Sequence, residues 1–277
     1  MKCRSIAPFC IILCAALLQF SGCTNRTTKG YDQPTYGGQG YKHFCEGDFR
    51  AALDDYRTAY IYAGKFDRIV AQTGYLFNTG RVYYEMGEID SCISVMKSAW
   101  ENYEKLIDTT DASAAAGFIT LCFATKNISD SAWSWYEKGH SQSVESQRPF
   151  WQTVKARVLW IIDKDPKCLV FLDSAADYYN KRKDHLSIAL NCLYSAEVLF
   201  REGKTAEAES FLKQSLAKFD LVKEQYRRWK VLEMLAKVSW CMGKQDDAQS
   251  YYNRAVQCMP ESFERPDFKE VRGCSDK

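Results

Sequence analysis

The sequence predicts an all-α protein, an α-α superhelix of about six helical hairpins with a ~40-residue period. Turn-forming residues recur at Gly47, Gly87, Asn127, Asp163, Gly203 and Gly243, in steps of 40, 40, 36, 40 and 40. Five residues past each turn stands a small residue: Ala52, Cys92, Ala132, Cys168, Ala208 and Ala248. A large residue follows four further on, at Tyr56, Met96, Tyr136, Leu172, Leu212 and Tyr252. Three more positions bring a small one again, at Ala59, Ala99, Gly139, Ala175, Ser215 and Ala255.

A second register of mostly small residues lies seven before each turn: Gly40, Gly80, Thr120, Ala156, Ala196 and Ala236. Small residues at helical spacing let two backbones approach, and a large side chain between them fills the facing groove. Glycine or asparagine at the turn allows the first helix to close in the left-handed conformation.

The elements follow in order. Residues 35–63 form the first pair, with Asp48 starting its second helix, and residues 66–106 form the second. Thr109-Thr110-Asp111 breaks the chain and caps the third pair, which runs to about Gly139. Ser141 to Pro149 is the longest loop candidate. The fourth pair covers 150–181, with Asp165-Pro166 read as a cap followed by proline at the first helical position. Asp184 caps the fifth pair, and Glu224 to Pro260 completes the sixth. Residues 261–277, charged and broken by Pro266 and Gly273, read as an irregular tail over the open end of the last unit.

This pattern resembles the tetratricopeptide repeat, which has small residues at positions 8, 20 and 27, a turn near 15, an aromatic at 24 and proline at 32. The last unit matches best, with Ala236, Gly243, Ala248, Tyr252, Ala255 and Pro260, and the first follows with Gly40, Gly47, Phe49, Ala52, Tyr56 and Ala59. The resemblance covers residues 35–260 and implies a TPR-like solenoid domain there. It departs from the family in its longer period, in lacking the tryptophan near position 4, and in lacking most of the prolines. Helices longer by about a turn would absorb the extra residues.

The first 22 residues have a basic start, Lys2 and Arg4, then an apolar run from Ile6 to Phe20 that is short for a membrane span. With Phe20-Ser21-Gly22-Cys23 it looks like a bacterial lipoprotein signal, although phenylalanine replaces the commoner leucine. An ordinary signal peptide or a buried first helix is the plainer alternative. The resemblance implies cleavage after residue 22 and lipidation of Cys23, where multiple acyl chains would hold firmly. Residues 23–34 then read as a flexible tether. The expected location is the bacterial cell envelope, in the inner or outer membrane.

Cleavage would remove Lys2 and Arg4 and no acid, taking the formal charge from +2 to 0. A neutral chain has no electrostatic footprint for nucleic acid. Eight cysteines remain after Cys23: Cys45, Cys92, Cys122, Cys168, Cys192, Cys241, Cys258 and Cys274. They form no C-x-x-C pair and no zinc spacing. They read as scattered core thiols, with one or two disulfides as the alternative. His43, His140 and His185 are isolated, and no cofactor, metal or catalytic motif is found. Glu85, Glu197 and Glu233 on first helices are the candidates if paired carboxylates exist, and each fits a plain helix position equally well.

The resemblance further implies that first helices line a concave face. Position 12 then carries Phe44, Tyr84, Ala124, Trp160, Phe200 and Trp240, and position 9 carries Tyr41, Arg81, Leu121, Arg157, Glu197 and Lys237. This stripe is either packing between hairpins or a trough for a peptide or helix. In the second reading Arg81, Tyr84, Arg157, Trp160, Phe200, Lys237 and Trp240 bind the partner. The expected function is a lipid-anchored scaffold without catalysis whose protein or peptide partner is unknown. The alternatives are a solute-binding accessory lipoprotein of a transporter and a sensor or regulatory input domain.

Overall fold

The computed structural model describes residues 36–222, 225–260 and 263. The signal, the tether and, apart from Phe263, the C-terminal tail lie outside the described residues. Among the described residues there are twelve α-helices and no strand. They pair as α1 (Tyr36–Glu46) with α2 (Phe49–Lys65), α3 (Ile69–Met86) with α4 (Ile89–Lys105), and α5 (Thr109–Thr125) with α6 (Ser129–Ser141). Then follow α7 (Arg148–Val158) and α8 (Cys168–Arg182), α9 (His185–Arg201) with α10 (Thr205–Val222), and α11 (Gln225–Cys241) with α12 (Gln245–Cys258). Within the described residues no helix is long and apolar enough to cross a membrane.

The chain divides into two compact units. Of the described residues, one unit comprises 36–44 and 49–171, and the other comprises 172–260, Phe263 and the 45–48 turn, whose Gly47 lies against Pro260 and Tyr226. In the first unit α2 through α6 pack in succession, each on the next. In the second, α9 packs on α10, α10 on α11, and α11 on α12. This neighbour-on-neighbour packing is that of a helical-repeat solenoid. Phe263 stacks on Tyr226 at 5.8 Å between centroids and meets Trp229 at 5.6 Å.

The turns fall where the spacing places them, with one shift. Gly47, Gly87, Asn127, Gly203 and Gly243 all have positive φ. Gly87 closes α3, and its N–H reaches the carbonyls of Tyr83 and Tyr84. In the fourth pair the left-handed residue is Lys164, at φ 53, one residue later than Asp163. The cause is a π-helical turn, Leu159–Asp163, in which the Lys164 N–H bonds back to Leu159. The caps differ in detail as well. Asp108, rather than the Thr109–Asp111 run, caps α5 by accepting from the Asp111 N–H at 3.1 Å. Asp184 caps α9 as the sequence predicts, taking the Ser187 N–H at 3.2 Å and the Ser187 hydroxyl at 2.6 Å. Pro166 precedes α8 by two residues, and Asp165 accepts instead from the Lys167 N–H at 2.9 Å.

The small-residue ladder is the core. Ala52, Cys92, Ala132, Cys168, Ala208 and Ala248 are each 0% exposed. Across the first hairpin Gly40 meets the Tyr56 ring, and across the second Gly80 meets Met96, so each large residue fills the space that a missing side chain leaves. At the third, a Cβ on Gly139 would stand 2.6 Å from the Ala116 Cβ and 2.5 Å from the Trp151 ring. The serine hydroxyls of this layer bond across hairpins, Ser113 to the Gly139 carbonyl at 3.0 Å and Ser215 to the Ala189 carbonyl at 2.7 Å.

These contacts rank two substitutions. Gly139→Ala meets a methyl and a rigid ring and is expected to destabilise the fold by about 1–3 kcal/mol. Gly80→Ala meets only Met96, which can rotate, so its loss should be smaller. Urea midpoints of the two variants check the order.

Candidate functional site

The seven residues expected on a concave face fall into two sets. Arg81, Tyr84, Arg157 and Trp160, all in the first unit, are buried at 3, 1, 2 and 4% exposure. Phe200, Lys237 and Trp240, in the second unit, are half-buried. The Arg81 guanidinium donates to the Asn78 side chain at 2.9 Å and lies 4.9 Å from the Phe44 ring centroid. Tyr84 meets Phe118 edge-on at 5.7 Å. Trp160 sits within the π-helical turn, with the Lys164 ammonium 6.0 Å from its ring. Lys237 pairs with Glu233 at 2.7 Å, one helical turn away. Cys23 lies outside the described residues.

Other first helices are enclosed still further. α5 is buried continuously from Asp111 to Cys122, and α9 from Ser187 to Leu199. A helix buried on every side belongs to the interior of its unit. In α5 that is possible because the run Ala112-Ser113-Ala114-Ala115-Ala116-Gly117 lets neighbours close in from all directions.

The second helices hold a cluster outside the predicted set. Trp100 of α4 and Trp135 of α6 meet edge-on at 5.4 Å. The Lys138 ammonium sits 3.7 Å from the Trp100 centroid and 4.8 Å from that of Trp135. Lys97 adds a second cation, 5.9 Å from Trp135 and 5.6 Å from Phe123. The rings are half-buried and Lys138 is exposed, so the cluster presents a cation held over aromatic faces. Repeat spacing gives no hint of it, because Trp100 and Trp135 stand at different repeat positions. The only sequence signal is the density of tryptophan and lysine on these two helices.

Among the carboxylates, Glu85 is fully buried and Glu233 is held by Lys237. Glu209 accepts from Lys244 at 2.8 Å and pairs with Lys213 at 2.9 Å, and these bonds pull its pKa below the ordinary value. Among the described residues no group of three His, Cys, Asp or Glu side chains could hold a metal ion. An open depression of about 330 Å³ is lined by His140, Ser143, Val144, Glu145 and Arg148.

The thiols divide by exposure. Cys92 and Cys122 are buried face to face, with sulfurs 3.3 Å apart, and the hydrogen bond from Cys122 together with burial pushes the Cys92 pKa well up. Burial raises Cys192 from 9.0 to about 11, partly offset by Lys218. Cys45 and Cys258 are half-exposed, and Cys241 is disulfide-bonded.

No family model matches the chain, and no curated protein matches it. Among solved structures, the crystal structure of BtubC (BKLC) from P. vanneervenii aligns with a TM-score of 0.52 and 12% identity, over 78% of this chain and 90% of that one. A crystal structure of a Rap protein complexed with competence and sporulation factor aligns with a TM-score of 0.46 and 18% identity, over 80% of this chain and 52% of that one. The present chain thus spans about half of the Rap protein. The likeness to BtubC is one of fold.

Burial sets two expectations. Tyr84→Ala should destabilise by about 3–5 kcal/mol, as removal of a buried ring does, and Phe200→Ala by less, read from urea midpoints. At pH 8 a soluble alkylating agent should label Cys45 and Cys258 before Cys92, Cys122 or Cys192, read by peptide mass. The Cys192 pKa is raised on folding, so its contribution is complete below about 9 and is lost as pH rises toward about 11. Cys192→Ala should therefore flatten the fall of the urea midpoint over that window.

Proposed function

We propose that this chain is a lipid-anchored helical-repeat scaffold of the bacterial cell envelope. It is held to the membrane through Cys23 and binds another protein without catalysing a reaction. The observation that supports the binding role best is how the side chains are used. The repeat positions are spent on packing hairpins, Glu209 and Glu233 are tied in ion pairs, the latter with Lys237, and aromatic side chains are left half-buried at Phe200, Trp240, Trp100 and Trp135, with Lys138 exposed over the last two. Rigid aromatics flanked by cations are the usual anchors of protein recognition. Phe200 and Trp240 share repeat position 12, 40 residues apart, which suits a partner that runs along successive hairpins. The anchor rests on the basic start, the short apolar run and Phe20-Ser21-Gly22-Cys23.

Two experiments test the two halves. Wild-type chain in a bacterial host should need detergent for extraction and should carry acyl chains on its Cys23 peptide. Cys23→Ala should be released by an alkaline carbonate wash; a Cys23→Ala chain that still needs detergent removes the anchor. For binding, the pair Phe200→Ala and Trp240→Ala should lower crosslinking to the partner at least five-fold, with a melting temperature within a few degrees of wild type. Equal loss of fold and crosslinking would return these residues to packing.

A further inference from the structure

One edge of the first unit combines exposed apolar side chains with a strained backbone. Because α2 to α5 pack in antiparallel succession, the α2–α3 and α4–α5 turns lie on the same edge, about 20 Å apart at two helix widths. The turns at Gly87 and Asn127 lie on the opposite edge. At the first turn Phe66, Ile69 and Val70 are more than half exposed, and the Tyr62 ring meets Phe66 at a tilt, 4.9 Å between centroids. At the second, Ile107 is 86% exposed.

Ile107 breaks two local rules at once. It is a large apolar residue in solvent, and it is β-branched at φ 56, a left-handed conformation that such residues avoid. One repeat earlier the same position is Asp67, at φ 53, a residue type that tolerates this backbone. Folding therefore gains nothing from isoleucine at 107. Around the apolar tips stand Tyr36, Tyr62, Lys65, Arg68 and Lys105, with Asp67, Glu104 and Asp108 balancing the charge. The Arg68 guanidinium lies 5.9 Å from the Phe66 centroid. Aliphatic and phenyl tips ringed by tyrosine, lysine and arginine match the chemistry of a bilayer interface, where apolar groups dip below the headgroups and amphipathic ones stay level with them.

The start of the helical domain points to the same occupant. α1 runs antiparallel to α2, with His43 bonded to Asp55 at 2.8 Å and Gly40 against Tyr56. That register sets Tyr36, the first residue of α1, level with Tyr60–Tyr62, at this edge. From Cys23 to Tyr36 is 13 residues, a reach of at most ~45 Å. We infer that this edge seats on the bilayer surface, with Phe66, Ile69, Val70 and Ile107 inserted among the headgroups. The inference rests on the lipid-anchor reading of Cys23 for the membrane's proximity, and insertion itself depends on the edge alone.

The test uses the full chain reconstituted in phosphatidylcholine–phosphatidylglycerol vesicles doped with a diazirine phospholipid. After illumination, lipid adducts should map to the peptides holding Tyr62–Val70 and Ile107 at least five-fold above Ile128, an exposed isoleucine on the opposite edge. Phe66→Ser with Ile107→Ser should abolish the excess while the helical circular dichroism is kept. Adducts at Phe66 and Ile107 no greater than at Ile128 would overturn the inference, as would adducts unchanged by the double substitution. The mass of the Cys23 peptide separates the two readings. Acylation without edge adducts removes the edge and keeps the anchor; edge adducts without acylation do the reverse.

Discussion

Close approach of paired helices at six small-residue positions is the constraint on which the structure depends. Ala52, Cys92, Ala132, Cys168, Ala208 and Ala248 are fully shielded from solvent. In the first two hairpins the matching large residue, Tyr56 or Met96, occupies the space opposite a glycine of the partner helix. Close packing of this kind leaves no slack, so extra volume must displace a neighbour. Cysteine serves at two of the six positions because a free buried thiol packs as a small apolar group. The high cysteine content is thus in part a packing choice, and the raised pKa of Cys92 follows from its hydrogen bond with Cys122 and from that burial.

This constraint decides where polar chemistry can appear. First helices are enclosed enough that Arg81 and Glu85 of α3, Arg157 of α7 and Glu197 of α9 are drawn into the interior. Arg81 answers this by bonding to Asn78 and facing the Phe44 ring. Second helices are half-buried, and they hold the Trp100–Trp135–Lys138 cluster and the Lys213–Glu209–Lys244 bridge. Exposed aromatic and basic groups therefore collect on second helices and at helix ends.

The turns behave differently from the helices. Inside hairpins the left-handed residue is mostly glycine or asparagine, which adopt it readily. Between hairpins it is Asp67, Ile107 and Lys183. Local propensity explains the first set and, in the second, Asp67, while the β-branched Ile107 departs from it furthest. Conflicts between local preference and fold concentrate where a residue answers to something beyond folding.

The sequence by itself determined the fold class, the hairpin count and five of the six turn residues, because close packing requires small residues at a fixed spacing and that spacing survives in a one-dimensional string. Asp184 as a cap was legible for the same local reason. Only the tertiary structure decided the rest. The π-helical turn at Leu159–Asp163 moved the fourth turn by one residue, and nothing local marks it. Whether the position-12 aromatics face solvent or the interior depends on how many neighbours enclose each first helix, so Tyr84 is buried while Trp240 is half-buried. The tryptophan–lysine cluster and the apolar edge arise from residues that meet only when successive helices pack, at distances in space that their separation along the chain does not encode.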